Sequence, residues 1–151
     1  MKTMIFAAVA ALALSTAPAM AQDRAITEVG VTAGAIGGDT SFGARVGLHD
    51  FNLPYGVQLE GTYDGTEWQD TVGVNAVKTV PLTDRFAAYG LVGLGYDWND
   101  NRGDRGTWAY GGGMTYALTE TIGVDARVRV INALEDSSDD TAYTVGLNYK
   151  F

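Results

Sequence analysis

Along most of the chain, large apolar residues recur at every second position and small or polar residues fill the gaps. The C-terminal segment shows it most plainly. Tyr143, Val145, Leu147, Tyr149 and Phe151 alternate with Thr144, Gly146, Asn148 and Lys150. A period of two puts each set on its own face of a strand, so the segment predicts a strand with one oily and one polar side. The same alternation runs through 29–35, 42–48, 55–63, 72–80, 108–118 and 124–130, with Lys78 interrupting the oily set of 72–80. The segment 86–96 is small or apolar on both faces. Eight strands result, and no helical period of useful length follows them.

The breaks between strands are of two kinds. Three are compact and hold turn residues, at 50–54, 81–84 and 119–121, whereas those at 37–41, 64–70, 97–107 and 133–141 are polar and mostly acidic. Short turns at one end and longer loops at the other are the layout of a bacterial outer-membrane barrel, with both ends of an even-stranded sheet on the turn side. The aromatics fit that layout. Phe42, Tyr63, Tyr96, Trp108, Tyr110 and Tyr143 fall toward the loop ends of their strands, and Tyr55, Phe86, Tyr116 and Tyr149 toward the turn ends. Two girdles separated by small aliphatics match the interfacial belts of a transmembrane barrel. They also assign the even-numbered residues of 86–96 to lipid.

A soluble eight-stranded barrel alternates too. It needs charge outside and hydrophobics inside, and here the polar set is too rich in Gly, Ser and Thr to cover an exterior. Small residues suit a crowded lumen, where eight strands leave room only for side chains. In hydrocarbon every backbone group must pair internally, which for strands requires closure. The predicted fold class is therefore all-β: an eight-stranded antiparallel up-and-down transmembrane β-barrel.

Composition adds a leader and excludes several chemistries. Lys2, an apolar run from Met4 to Leu14, and Ala19-Met20-Ala21 form the positive, hydrophobic and cleavage regions of a secretory signal peptide. Residues 1–21 are thus expected to be removed and 22–151 to form the barrel domain. The run is too short to span a bilayer as a helix. With 10 basic and 18 acidic residues, the formal net charge is −8, which argues against a nucleic-acid partner. The absence of cysteine rules out disulfides and thiolate metal sites.

By strand parity the inward charges are Glu28, Arg45, His49, Glu60, Asp125, Arg127, Arg129 and Lys150. Arg45, Glu60 and Arg127 count to mid-height, with Asp125 and Arg129 one layer to either side. Charges in a narrow, poorly hydrated interior pair or become very costly. An Arg45–Glu60–Arg127 network is expected, with Asp125 and Arg129 attached.

Gly146-Leu147-Asn148-Tyr149-Lys150-Phe151 resembles the terminal strand of outer-membrane barrels, and the glycine-rich runs 89–96 and 111–119 resemble two of their inner strands. The chain is similar over 22–151 to the small eight-stranded outer-membrane barrel family, the group of OmpX, the OmpA membrane domain and the opacity-type porin-like proteins. That resemblance implies a multi-pass protein of the Gram-negative outer membrane, monomeric and surrounded by phospholipid and lipopolysaccharide. It also implies that Tyr149 and Phe151 are read by the barrel-assembly machinery. In this light the lumen network is either a structural plug or a gate that opens by exchanging partners.

No catalytic constellation is apparent. The lone His49 and Ser41 sit eight residues apart, at opposite ends of one strand, which defeats a nucleophile–base pair. The outward loops carry eleven acids: Asp39, Asp64, Glu67, Asp70, Asp97, Asp100, Asp104, Glu135, Asp136, Asp139 and Asp140. Arg102 and Arg105 are the only bases among them. Asp97, Asp100 and Asp104 share the longest of these loops, where Asp97-x-Asn99-x-Asn101 has half a calcium-loop spacing without its Gly or distal Glu. No metal and no cofactor are expected. Two functions remain: a non-catalytic structural or surface-interaction barrel, and a narrow porin-like channel that its acidic mouth would bias toward cations.

Overall fold

The computed structural model describes residues 26–49, 56–64, 70–98, 103–134 and 139–151. They form eight strands: β1 (Ile26–Ile36), β2 (Asp39–His49), β3 (Gly56–Asp64), β4 (Asp70–Pro81), β5 (Phe86–Trp98), β6 (Arg105–Ala117), β7 (Ile122–Ala133) and β8 (Asp139–Lys150). Each pairs antiparallel with its neighbour in chain order, and β8 pairs back onto β1 to close the barrel. Residues 1–25, including the expected leader, lie outside the described residues.

The alternation read from the sequence becomes the two walls. Leu147 is 53% exposed and Arg127 only 2%. Val31, Val92, Leu94, Val128 and Val145 join Leu147 on the outside, while Arg45, Glu60, Asp125 and Arg129 are buried with Arg127. A protein with its aliphatics outside and its ions inside has hydrocarbon as its solvent. The buried apolar cluster within is small: Val77, Tyr89 and Leu91.

Two turns repeat one local chemistry. In Leu82–Arg85 the amides of Leu82 and Thr83 both donate to the Phe86 carbonyl at 2.9 Å, and Phe86 N–H donates to Thr83 Oγ1 at 3.0 Å. In Leu118–Thr121 the amides of Leu118 and Thr119 donate to the Ile122 carbonyl at 2.9 and 3.0 Å, and Ile122 N–H donates to Thr119 Oγ1 at 2.9 Å. The sequence signature is Leu-Thr-acid in each case. A threonine hydroxyl that caps the next strand's amide makes such a turn self-sufficient.

At the opposite, loop end the strands run further than the alternation predicts. The expected 37–41 loop is a two-residue hairpin turn at Gly37-Gly38, with φ of 59° and 100°. That backbone matches the twist of the flanking strands and is open to glycine at little cost. Asp39, Asp64, Asp70, Asp97, Asp139 and Asp140 are accordingly strand residues rather than loop residues.

Phe42, Tyr96, Trp108, Tyr110 and Tyr143 are exposed on the outer wall of the loop-side halves, and Tyr116 and Tyr149 on the turn-side halves. Phe86 pairs across the ladder with Tyr116. Trp108 stacks on Tyr110 at 5.3 Å, and Tyr149 meets Phe151 edge-on at 5.1 Å. Tyr55 and the Tyr63 side chain lie outside the described residues.

Candidate functional site

Among the described residues, buried ionic side chains are concentrated in the lumen. Strand parity turns Arg45 of β2, Glu60 of β3, Tyr89 of β5 and Asp125, Arg127 and Arg129 of β7 inward, and all six are buried. They meet in two clusters.

The first centres on Asp125. Arg45 Nη1 donates to Asp125 Oδ1 at 2.8 Å, and the Tyr89 hydroxyl donates to Asp125 Oδ2. Arg45 Nη2 donates to Asn148 Oδ1, and Arg45 Nε lies 3.8 Å from Glu28 Oε1. Both oxygens of Asp125 are engaged.

The second centres on Glu60. Its Oε2 accepts from Arg127 Nη1 at 2.7 Å and from Asn75 Nδ2 at 3.3 Å, and Arg129 Nη1 stands 3.1 Å away. Arg127 Nη2 donates to Gln58 Oε1 at 2.9 Å, and Gln58 Nε2 donates to Glu28 Oε1 at 3.1 Å. Tyr89 joins the two centres: Arg127 Nε donates to its oxygen at 2.9 Å, with the guanidinium carbon 5.4 Å from the ring centroid.

Two links run over a glycine. Tyr89 and Arg127 both face Gly113 across the ladders, where an added Cβ would come 2.5 Å from the Tyr89 oxygen and 2.4 Å from the Ala126 carbonyl oxygen. Arg45 and Asn148 flank Gly30, where a Cβ would meet Asn148 Oδ1 at 2.6 Å. These bare positions let long side chains cross to partners on another wall.

The expected network is corrected in one link. Arg45 and Glu60 face each other across β2 and β3, yet Arg45 makes its ion pairs with Asp125 and Glu28. The space above Gly30 admits its guanidinium toward Asn148 and Asp125, leaving Glu60 to Arg127 and Arg129. The sequence reading named the ions but not the connecting role of Tyr89, Gln58, Asn75 and Asn148, the neutral groups between them. Lys150, counted among the inward charges, is exposed at the rim. The His49 side chain lies outside the described residues.

Asp97 also departs from expectation. It is a buried β5 residue, 3.1 Å from Arg105 Nε and accepting from Thr71 Oγ1 at 3.4 Å, not part of an open calcium-loop spacing. Asp104 is exposed, and Asp100 lies outside the described residues. Among the described residues no group of three or more His, Cys, Asp or Glu is placed to hold a metal. Ser41 is buried at the loop end of β2 and His49 ends the same strand. Eight residues of strand separate them by roughly 26 Å.

The clusters divide the interior. On the turn side lies a cavity of about 210 Å³ bordered by Glu28, Arg45, Gln58, Tyr89, Asp125 and Lys150. On the loop side a space of only about 20 Å³ remains among Glu60, Thr62, Thr107 and Arg129.

A closed eight-stranded sheet with an apolar outer wall and an ion-paired lumen defines a small membrane-spanning β-barrel. Residues 6–151 match the outer membrane protein beta-barrel domain family, and the chain belongs to it. It is an integral protein of the Gram-negative outer membrane. Solved structures share the fold at low identity. The N-terminal β-barrel domain of Pseudomonas aeruginosa OprF is 16% identical with a TM-score of 0.68, covering 85% of this chain and 98% of that one. Ail, the attachment invasion locus protein of Yersinia pestis, is 18% identical with a TM-score of 0.58, covering 83% and 97%. The outer membrane enzyme PagL is 15% identical with a TM-score of 0.53, covering 82% and 99%. The same architecture thus carries both an attachment protein and an enzyme. No curated protein matches the sequence.

Proposed function

We propose that this barrel is a non-catalytic structural and surface-interaction protein whose lumen is shut by the Asp125 and Glu60 clusters. The observation that carries the reading is the plug itself: three buried arginines and two buried carboxylates stand between the two cavities. Buried ions held by several hydrogen bonds are costly to separate, so the barrier is expected to be static on the timescale of solute passage. The wide separation of Ser41 and His49 along β2 supports the absence of catalysis. Ail, named for attachment, supports contact with surfaces outside the cell as the role of the loop end. In this reading Tyr149 and Phe151, exposed on the outer wall and packed edge-on, serve as the assembly signal, residues 1–21 are removed on export, and the barrel stands as a monomer in lipid and lipopolysaccharide.

Planar-bilayer recording tests the central statement. The wild-type barrel is expected to be electrically silent, whereas stable single-channel steps from it would favour a narrow channel instead. One feature favours that second reading: the loop end is strongly acidic, which concentrates cations at a mouth.

A further inference from the structure

Between the strand ends, the outer wall carries one charged side chain among the described residues: Lys78 of β4. It is exposed and has no ion pair or hydrogen bond among the described residues. Its surroundings are those of hydrocarbon. Ala76 and Val80 precede and follow it on the same face, and Leu82 continues the apolar line into the turn. Across the ladders its row continues through Gly90 of β5 and Gly112 of β6. Gly90 has no internal reason to be glycine, because a Cβ there would have nothing nearer than the Gly111 carbonyl oxygen at 3.9 Å. A charged residue therefore stands beside a strip of bare backbone on a lipid-facing wall.

The height of Lys78 fixes what reaches it. It lies two side-chain layers from the Phe86–Tyr116 pair that marks the turn-side interface. Four residues of a strand tilted by about 40° rise roughly 10 Å. A lysine stem snorkels over about 6 Å of that distance, which leaves the ammonium just inside the headgroup level. An ammonium at that depth needs an anionic oxygen brought slightly inward, and the Gly90–Gly112 strip leaves room for a headgroup to sink there. In outer-membrane barrels the short turns face the periplasm, so the lipid in reach belongs to the periplasmic leaflet.

We infer that Lys78, with the strip formed by Gly90 and Gly112, is a docking site for the phosphodiester of an anionic phospholipid of the phosphatidylglycerol class. The inference rests on the outer-membrane placement and not on the closed lumen or the absence of catalysis. Native mass spectrometry of the refolded full chain, from micelles doped with either phosphatidylglycerol or phosphatidylcholine, tests it. Wild type is expected to retain one phosphatidylglycerol in preference to phosphatidylcholine. Retention is expected to fall about 5-fold in K78Q, as for loss of one lysine near an anionic surface. It is expected to survive in K78R and to fall in G90L, which fills the strip without an internal clash. Equal retention by wild type and K78Q, equal retention of the two lipids, or no retained lipid would overturn the site. So would a dimer that depends on Lys78. Each variant is first shown to run as a compact band without boiling and a slower one after it. Failure of that shift would count against the barrel itself, and its presence without bound lipid against the docking site alone.

Discussion

The two ionic clusters of the lumen solve the same problem differently. Around Asp125 each carboxylate oxygen has its own donor, Arg45 on one side and Tyr89 on the other. Around Glu60 two arginines and Asn75 crowd onto Oε2, while Oε1 has no partner among the described residues. Arg129 keeps two nitrogens, Nε and Nη2, without partners among the described residues. The Asp125 carboxylate is fully engaged, with Arg45 Nε the one atom of its cluster left over; the Glu60 cluster carries an excess positive charge and more unused hydrogen-bonding capacity. A fully engaged carboxylate has one good arrangement. A crowded one has several of similar energy, so any rearrangement of the plug is expected to begin at Arg129.

That contrast can be broken in four ways. E60Q leaves two buried guanidinium groups without a countercharge. Its expected cost lies at the upper end of the range for broken buried pairs, about 5 kcal/mol, read from urea unfolding in vesicles. D125N removes the nearer of Arg45's two countercharges and leaves Glu28 Oε1 at 3.8 Å, so it is expected to lose about 3 kcal/mol in the same assay. If D125N proved the more damaging of the two, the assignment of the charge excess would be reversed. Y89F removes the hydroxyl shared by the clusters while keeping the ring over Gly113. A loss of about 1–2 kcal/mol is expected, and the coupling between D125N and E60Q in a double-mutant cycle should shrink in the Y89F background. Unchanged coupling would mean that the clusters communicate by another route. The smallest effect is expected from R129Q, below about 1 kcal/mol, because Arg127 already saturates the shared oxygen at 2.7 Å. A large loss in R129Q would show that Arg129 is a principal partner of Glu60 rather than a surplus one.

How far the sequence foretold these details depends on which physics was local. Alternation in 143–151 or 124–130 is a property of neighbouring residues, and it correctly assigned Leu147 to the outer wall and Arg127 to the lumen. The Leu-Thr-acid turns at 82–84 and 118–120 are local as well. Pairing of Arg45 with Asp125 is not local. It depends on strand tilt and on the clearance above Gly30, neither of which appears in β2's own sequence. Tyr89 was placed inward by the parity of its strand, but nothing in an apolar segment announced its hydroxyl as a bridge. Asp97 sits in an Asp- and Asn-rich stretch that reads as loop. The available signal was Arg105, its cross-strand partner once the hairpin register is known.

The pairing of β8 with β1, from Glu28 opposite Lys150 to Ile36 opposite Ala142, joins strands more than a hundred positions apart. Such a seam cannot form until the final strand has been synthesised and delivered, and long-range closure of this kind is slow. Throughout transit the chain therefore carries seven or more half-greasy ribbons with unpaired edges, a form that clumps readily in water. Keeping copies of the chain apart until the last strand meets the first is a demand set by the circular order of its strands.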